Sequence, residues 1–481
     1  SYVQSQEFAD YSLPSNIINS LFIDASGLYW IGTAEGVAIY SPLQLSSRIY
    51  RKRPDDNGLS DNYIYDIQKD TKGNLWIATA EGINQLDPKT HAIKQFPLIA
   101  QDGKPFSAQA VWQIDSAPNN KFWLGTNHGL KLFDPVTGVS QNIQQGQGIP
   151  DRPLYSLLTT VDDNIWITGY MGVGLILFNP KNGVTKQFLH DENSEYFNGG
   201  NFTYDKVLSS QGDLWLATTD GIYRVNPDTG QVHQYPLGEN KKSVRATSIV
   251  EHEDNVFWVT TEGEGLLRVT PSDISQSELI IEYVSKSFGI NNDQIQSILI
   301  DGDLIWLTSL KDLIKFNIKT QKWQTYKNLL GVEQLEFNEN AMYKIGNILY
   351  LGSTRGLVSV DISQLSINRF NAPIQITEVK SASQNFLTHL DSALASAISL
   401  PYRNNDLEIT FAAMDFTHSK NNQYQFILIG TDEKWRTISQ NDTVHYNNSV
   451  HYNNLAAGNH TFKVKGTNSG GQWSTNLASF N

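Results

Sequence analysis

A short apolar motif recurs eight times along the first three quarters of this chain and limits what the chain can fold into. Each copy is centred on one aromatic anchor residue, and in most copies a glycine follows a few residues later. The anchors are Trp30, Trp76, Trp123, Trp166, Trp215, Trp258, Trp306 and Tyr350. Successive anchors are 46, 47, 43, 49, 43, 48 and 44 residues apart. This period is typical of the blades of a β-propeller. We number the copies one to eight in chain order.

Copy two shows the blade pattern most clearly. Residues 62–67 alternate between apolar and polar side chains and predict a strand, and the fully apolar residues 75–79 predict a second strand that is buried on both faces. Residues 83–87 and 93–96 predict a third and a short fourth strand. Four antiparallel strands in each copy are the composition of one propeller blade.

The two ends of the repeat region predict how the ring closes. Residues 6–11 resemble a fourth strand with no blade in front of it, and copy eight has no clear fourth strand of its own. We therefore predict a single propeller of eight blades over residues 1–370, closed by the N-terminal strand. The alternative is a ring of seven blades plus one separate copy.

A second domain is predicted after residue 370, where copies of the motif stop. Longer alternating strands follow at 407–411, 424–428 and 460–465. This alternation predicts an immunoglobulin-like β-sandwich over residues 371–481. No long helical periodicity appears anywhere, so the predicted fold class is all-β.

Composition excludes several classes of function. The chain has 49 acidic and 36 basic residues, a net charge of −13, and no cysteine. Nucleic acid and anionic membrane surfaces would repel such a protein, so neither is an expected partner. The lack of cysteine excludes disulfides, cysteine-ligated metals and cysteine nucleophiles. No segment is apolar for the ~18 residues of a membrane span, and the first residues do not form a signal peptide. We expect an excised part of a longer protein.

No catalytic motif stands out. The ten histidines are scattered without the spacing of metal ligands, and no nucleophile elbow or phosphate-binding loop is present. We therefore predict no catalytic residue, no metal and no cofactor.

Candidate ligand-binding residues follow from propeller geometry. Loops that join the second and third strands of each blade share one face with the starts of the innermost strands, and such loops commonly carry binding sites. The residue before the turn glycine varies between copies, and aromatic residues lie 11 positions before four of the anchors. The predicted site residues are Glu35, Glu81, His128, Tyr170, Asp220 and Arg355 in the turns, and Tyr65, Trp112, Tyr155 and Tyr204 in the strands. Aromatic and mixed polar groups around a funnel suit a sugar or another neutral, ring-containing ligand.

Two known families resemble this chain. The repeat, best preserved over residues 70–83, resembles the two-component regulator propeller repeat. Residues 411–416, Tyr424, Trp435, 452–455 and 468–474 resemble the Y_Y_Y domain that follows such propellers. The resemblance implies the periplasmic sensor part of a bacterial membrane receptor. A transmembrane helix and a histidine kinase or diguanylate cyclase would then lie in a missing part.

Two functions from different classes remain open at this point. In the first, the propeller binds a small ligand such as an oligosaccharide, and the sandwich, paired in a homodimer, relays the signal. In that case the fragment is not an enzyme, and it meets the membrane only through the missing helix. In the alternative, the propeller is a carbohydrate-active lyase or hydrolase with an accessory sandwich.

Overall fold

The computed structural model describes most of the 481 residues. The described ranges are 13–41, 47–54, 57–106, 109–143, 148–169, 173–188, 202–272, 278–287, 294–327, 335–365, 370–381, 384–387, 398–400, 405–417, 419, 422–438 and 448–481. The predicted N-terminal strand at residues 6–11 and the candidate site residue Tyr170 lie outside these ranges.

Copy one forms a sheet of three strands. These are β1 (Ile18–Ile23), β2 (Tyr29–Thr33) and β3 (Gly36–Tyr40). All six residues of β1 are exposed, and Leu21 and Phe22 retain 62% and 64% of their accessible surface. The anchor Trp30 meets Phe416, a residue of the C-terminal domain, with ring centroids 5.8 Å apart. Within the described residues, copy one is therefore not a blade of the ring formed by the other copies.

Copies two to seven each form a four-stranded antiparallel sheet whose strands follow chain order. After β4 (Ser47–Tyr50), the strands are β5 (Ile64–Lys69), β6 (Leu75–Thr79), β7 (Gly82–Leu86) and β8 (Ile93–Phe96) in copy two; β9 (Val111–Ala117), β10 (Lys121–Thr126), β11 (Gly129–Asp134) and β12 (Val139–Asn142) in copy three; β13 (Leu154–Thr159), β14 (Ile165–Gly169), β15 (Leu175–Asn179) and β16 (Gly183–Phe188) in copy four; β17 (Thr203–Leu208), β18 (Leu214–Thr218), β19 (Gly221–Val225) and β20 (Val232–Tyr235) in copy five; β21 (Ala246–Glu253), β22 (Val256–Thr261), β23 (Leu266–Pro271) and β24 (Leu279–Tyr283) in copy six; and β25 (Ile295–Asp301), β26 (Leu304–Ser309), β27 (Asp312–Asn317) and β28 (Lys322–Lys327) in copy seven. Helical segments are short: the 3-10 turns Pro118–Asn120 and Glu239–Lys241, and α1 (Val284–Ser287).

Copy eight shows how the ring closes. It supplies β29 (Phe337–Ile345), β30 (Ile348–Ser353) and β31 (Gly356–Asp361), and its fourth strand is β4, which pairs antiparallel with β31. Leu357 lies opposite Tyr50, and Val360 lies opposite Ser47. The first strand of copy eight also packs against the first strands of copies seven and two. The described residues thus form a ring of seven blades.

This closure corrects the prediction of eight blades and agrees with the seven-blade alternative. The strand that follows copy one in sequence completes the blade of copy eight in space, so copy one has no place in the ring. The all-β propeller predicted from the repeat is confirmed.

The anchor tryptophans of the ring pack in and between the blades. Trp76, for example, lies 5.1 to 5.5 Å, centroid to centroid, from Phe96, Phe122 and Phe133. The six ring tryptophans are only 1–4% exposed. Truncation of a fully buried tryptophan to alanine typically costs about 3–5 kcal/mol, so these residues stabilise the ring.

The C-terminal domain is a β-sandwich of two four-stranded sheets. One sheet has the order β33-β32-β34-β37 and the other β36-β35-β38-β39, with strands β32 (Ile374–Ser381), β33 (Gln384–Leu387), β34 (Leu407–Ala413), β35 (Tyr424–Ile429), β36 (Arg436–Ile438), β37 (Ser449–Tyr452), β38 (Thr461–Gly466) and β39 (Ala478–Phe480). Phe411, Phe426 and Phe462 are buried in one core with centroids 6.0 to 6.4 Å apart. The predicted immunoglobulin-like sandwich is confirmed.

Candidate functional site

A β-bulge lies near the start of the innermost strand of every ring blade. In copy two, Ile64 pairs with Thr79 and Asp66 pairs with Ala78, so Tyr65 has no partner in the ladder. A bulge turns the strand locally and re-aims the side chain of its extra residue. The extra residues of copies two to seven are Tyr65, Trp112, Tyr155, Tyr204, Thr247 and Gln296.

Copy eight has a much larger irregularity at the same place. Phe337 pairs with Ser353 and the next partners are Met342 and Leu351, so residues 338–341 oppose Gly352 alone. This segment, 338–341, is called the copy-eight bulge below. A cavity lies at the centre of the ring. Three residues of this bulge and the two residues before it line that cavity: Glu336, Phe337, Asn338, Glu339 and Asn340.

The four aromatic residues predicted from their spacing lie around this one cavity, which has a volume of about 340 Å³. The ring centroids of Tyr65 and Trp112 are 4.3 Å apart, and those of Trp112 and Tyr155 are 4.6 Å apart. Two further aromatic residues extend the series, because Tyr63 lies 4.8 Å from Tyr65 and Phe202 lies 5.0 Å from Tyr155. We call the six residues Tyr63, Tyr65, Trp112, Tyr155, Phe202 and Tyr204 the aromatic arc. Small-ligand pockets of proteins commonly have volumes of roughly 300–1,000 Å³ and aromatic linings.

A charged group lies at the end of the arc. The guanidinium of Arg245 stacks on the ring of Tyr204 at 4.1 Å and forms an ion pair with Glu262 at 3.0 Å. Its other terminal nitrogen pairs with Glu339 of the copy-eight bulge. Burial raises the pKa of Glu339 while Arg245 opposes that rise, and the charge of Glu262 adds to it. One cation therefore holds two carboxylates beside the cavity.

Asn340 connects the copy-eight bulge to two other blades. Its Nδ2 donates to the main-chain oxygen of Tyr204 at 2.5 Å and to that of Thr247 at 3.2 Å. Asn340 has a φ of +53°, a conformation that asparagine adopts more readily than most residues. Asn338 of the same bulge donates to the main-chain oxygen of Ile64 at 2.6 Å. The bulge is thus fixed to three other blades of the ring.

Buried carboxylates in the cavity lining also join neighbouring innermost strands. Asp66 accepts the main-chain N–H groups of Ile67 at 2.7 Å and of Ile114, in the next blade, at 2.9 Å. Burial raises the pKa of Asp66 to about 7, although these hydrogen bonds and the charge of Lys206 oppose the rise. The pKa of Asp205 is raised by burial too, and its carboxylate accepts the N–H of Ile249 at 3.0 Å.

The predicted turn residues are placed differently from the aromatic ones. Glu81, His128 and Arg355 are exposed, Asp220 is half-buried, and none of the four lines the cavity. Glu35 belongs to the separate sheet of copy one.

A hydroxyl-capped turn accounts for this placement. In copy two, the Oγ1 of Thr79 accepts the N–H of Glu81 at 3.2 Å and donates to the oxygen of Gly82 at 2.9 Å. The turn leaves Glu81 exposed to solvent. The residue one position earlier directly follows the second strand of the blade. Leu310 and Thr354 line the cavity from that position.

Several residues that line the cavity are not among those predicted from the sequence: Tyr63, Phe202, Glu262, Gln296, Glu336, Asn338, Glu339 and Asn340. Two of them could have been found from their spacing, because Tyr63 and Phe202 lie two positions before the predicted residues Tyr65 and Tyr204. The spacing of 11 residues before the anchor also leads from Tyr350 to Glu339.

No group of three or more histidine, aspartate or glutamate side chains in the described part of the chain could hold a metal ion. No helix there has the length and apolar character needed to cross a membrane.

Two family models match the chain. The "Two component regulator propeller" model matches residues 12–35 and 58–81, and the "Y_Y_Y domain" model matches residues 415–481. Both resemblances seen in the sequence are therefore confirmed. One curated relative is "Histidine kinase P4" of Formosa agariphila, which is 26% identical over 65% of this chain and 23% of its own length.

Solved structures show the same fold. The extracellular domain of the hybrid two component system BT3049 from B. thetaiotaomicron matches with a TM-score of 0.73 at 21% identity. That match covers all of this chain and 63% of the other. The extracellular domain of BT4673 from the same organism matches with a TM-score of 0.54 at 19% identity and is covered to 64%. This chain therefore spans less than two thirds of these proteins and about a quarter of the histidine kinase.

Proposed function

We propose that this chain, which carries two-component regulator propeller repeats and a Y_Y_Y domain, is the periplasmic ligand-sensing region of a bacterial transmembrane signalling receptor. Its ligand is a small molecule, an oligosaccharide in the first instance, bound in the central cavity of the propeller. The observation that carries this proposal is the aromatic arc. Four of its members are the extra residues of β-bulges. A regular ladder without the bulge would not direct these side chains into the cavity.

The arc suits a sugar because aromatic faces offer flat apolar surface at little conformational cost. The C–H groups of a pyranose ring pack on such faces, while polar neighbours accept hydrogen bonds from its hydroxyls. Gln296 and Asn338 add amide groups to the lining of the same cavity. The cavity thus combines an apolar wall with convergent polar groups, which is the usual composition of a ligand pocket.

The proposed fragment senses and does not catalyse. A kinase or cyclase activity belongs to another part of the receptor, as the similarity to a histidine kinase and to extracellular domains of two component systems supports. The signal then requires that ligand binding favours one arrangement of the receptor over another. We propose that two sandwiches form a homodimer that changes its geometry on binding.

A thermal-shift screen of the fragment against oligosaccharides tests this function. A ligand that binds only the folded state stabilises it by about 2.7 kcal/mol at a hundred times its Kd. We expect stabilisation of wild type by at least one sugar and none of Trp112→Ala by the same sugar. Equal stabilisation of both proteins would place the binding site elsewhere.

A further inference from the structure

We propose that the central cavity selects a cationic ligand, an amino sugar with a free ammonium group, over a neutral or acidic sugar of the same size. This inference rests on the proposed function and specifies the chemical class of its ligand. It comes from the charges and rings around the cavity.

The ionisable groups that line the cavity are mostly carboxylic acids. They are Asp66, Asp205, Glu262, Glu336 and Glu339, and none of the described residues in the lining is lysine, arginine or histidine. Glu336 is exposed, so its charge costs little to maintain. Burial raises the pKa of Tyr63, and the charges of Glu339 and Glu336, which line the same cavity, add to that rise.

The two basic residues next to the cavity are already occupied. Arg245 is shared between Glu262 and Glu339. Lys206 donates to Gln113 at 2.9 Å, and its charge acts on Asp66, Asp115 and Asp205. Both cations are therefore already engaged by groups of the protein, and an acidic ligand would have to compete with those partners.

The aromatic arc adds a second attraction for a cation. Aromatic faces attract ammonium and guanidinium groups within about 6 Å of the ring centroid, and cages of such rings recognise ammonium ligands. The protein already uses this interaction at one end of the arc, where Arg245 lies 4.1 Å from the centroid of Tyr204. An ammonium group between the arc and Glu336 or Glu339 would gain from rings and carboxylates together.

Matched ligands separate charge from shape. Glucosamine trisaccharide and its N-acetylated form share ring and linkage and differ in the ammonium groups, which are protonated at about pH 6. Isothermal titration of the fragment with each, and with an acidic trisaccharide of galacturonate, measures the preference. We expect the amino sugar to bind at least about tenfold more tightly than the acetylated form, the scale of one charge interaction near a protein surface.

Substitutions locate that preference. Glu336→Gln is expected to weaken the amino sugar about tenfold and to affect the acetylated sugar much less, whereas Glu339→Gln also breaks the ion pair with Arg245 and is expected to weaken both sugars. Glu253→Gln is the matched control, because Glu253 is exposed at the far end of β21, away from the cavity. The exposed Glu336 is the safer test of charge, since its replacement breaks no ion pair seen in the structure.

The outcomes distinguish this inference from the function beneath it. Tighter binding of the acetylated or acidic sugar, still lost in Trp112→Ala, overturns the cationic class and leaves ligand sensing in place. Equal binding of 1,4-diaminobutane, an amine without a ring, overturns the sugar component. If none of these ligands binds while another sugar of the thermal-shift screen stabilises wild type and not Trp112→Ala, the cationic class is wrong and ligand sensing at this cavity stands.

Discussion

The Nδ2 of Asn340 lies 2.5 Å from the main-chain oxygen of Tyr204 and so joins the innermost strands of copies eight and five across the ring. Asn340 reaches that position because its φ is +53° and because four bulge residues oppose a single partner. One side chain thereby joins the copy-eight bulge to the strand that carries Tyr204, the last residue of the aromatic arc.

Replacement of Asn340 separates backbone conformation from hydrogen bonding. Asn340→Gly retains freedom at positive φ and loses the hydrogen bonds, whereas Asn340→Ala loses both. An unsatisfied carbonyl costs about 1–3 kcal/mol, and a left-handed conformation costs an alanine about 1–2 kcal/mol more. We expect the melting temperature to fall in the order wild type, Gly, Ala. If the two variants melt together, the backbone conformation contributes nothing measurable.

The position of copy one outside the ring predicts unequal effects of two anchor tryptophans. Trp215 is 1% exposed and lies 4.5 Å from Phe257, so Trp215→Ala should destabilise the propeller by about 3–5 kcal/mol. Trp30→Ala should leave the propeller melting transition unchanged, because Trp30 contacts Phe416. Thermal unfolding followed by circular dichroism measures both. A loss of propeller stability in Trp30→Ala would instead support eight blades.

Ring closure by β4 is tested by truncation. A fragment of residues 47–365 retains Ser47–Tyr50 and should fold as a propeller, while a fragment of residues 51–365 exposes the edge of β31. We expect the shorter fragment to melt at a lower temperature and to aggregate more readily. Equal behaviour of the two fragments would contradict the pairing of β4 with β31.

The raised pKa of Asp66, about 7, predicts how stability depends on pH. Because the folded state raises this pKa above the value of 3.8 for an exposed aspartate, the folded state binds the proton more tightly. The stability gained from that proton is complete below pH 3.8 and is lost as the pH rises through 7. Asp115 and Asp205 act in the same direction, and Lys206 opposes all three. We expect the melting temperature to fall between about pH 5 and pH 8.

Asp66→Asn supplies the control for that prediction. It removes the titrating group while keeping an oxygen that can accept a main-chain N–H. The fall in melting temperature between pH 5 and pH 8 should be smaller in Asp66→Asn than in wild type. The same slope in both proteins would assign the pH dependence to other groups.

The sequence predicts the blades well because their signal is local. Leu75–Thr79 is apolar throughout, a glycine turn follows, and the pattern repeats at nearly constant spacing. Ring closure is not local. Ser47–Tyr50 follows copy one directly but pairs with Leu357 to Val360, some 310 residues later, and no pattern within β4 states which edge it will join.

The candidate site divides in the same way. The spacing of Tyr65, Trp112, Tyr155 and Tyr204 identifies most of the aromatic arc, because the bulge recurs at one place in each blade. Much of the polar lining depends on the copy-eight bulge, whose length is fixed by the pairing of Met342 with Leu351. The predicted turn residues of the ring do not line the cavity, because a threonine cap leaves positions such as Glu81 in solvent.

The most direct measurement of the central claim compares two tryptophans by isothermal titration with a sugar that stabilises the wild-type fragment. Trp112 lies in the aromatic arc, whereas Trp435 is 38% exposed on the sandwich. We predict that Trp112→Ala weakens binding at least about tenfold, equivalent to about 1.4 kcal/mol, and that Trp435→Ala binds as wild type does. Wild-type affinity in a folded Trp112→Ala protein would contradict ligand sensing at the centre of the propeller.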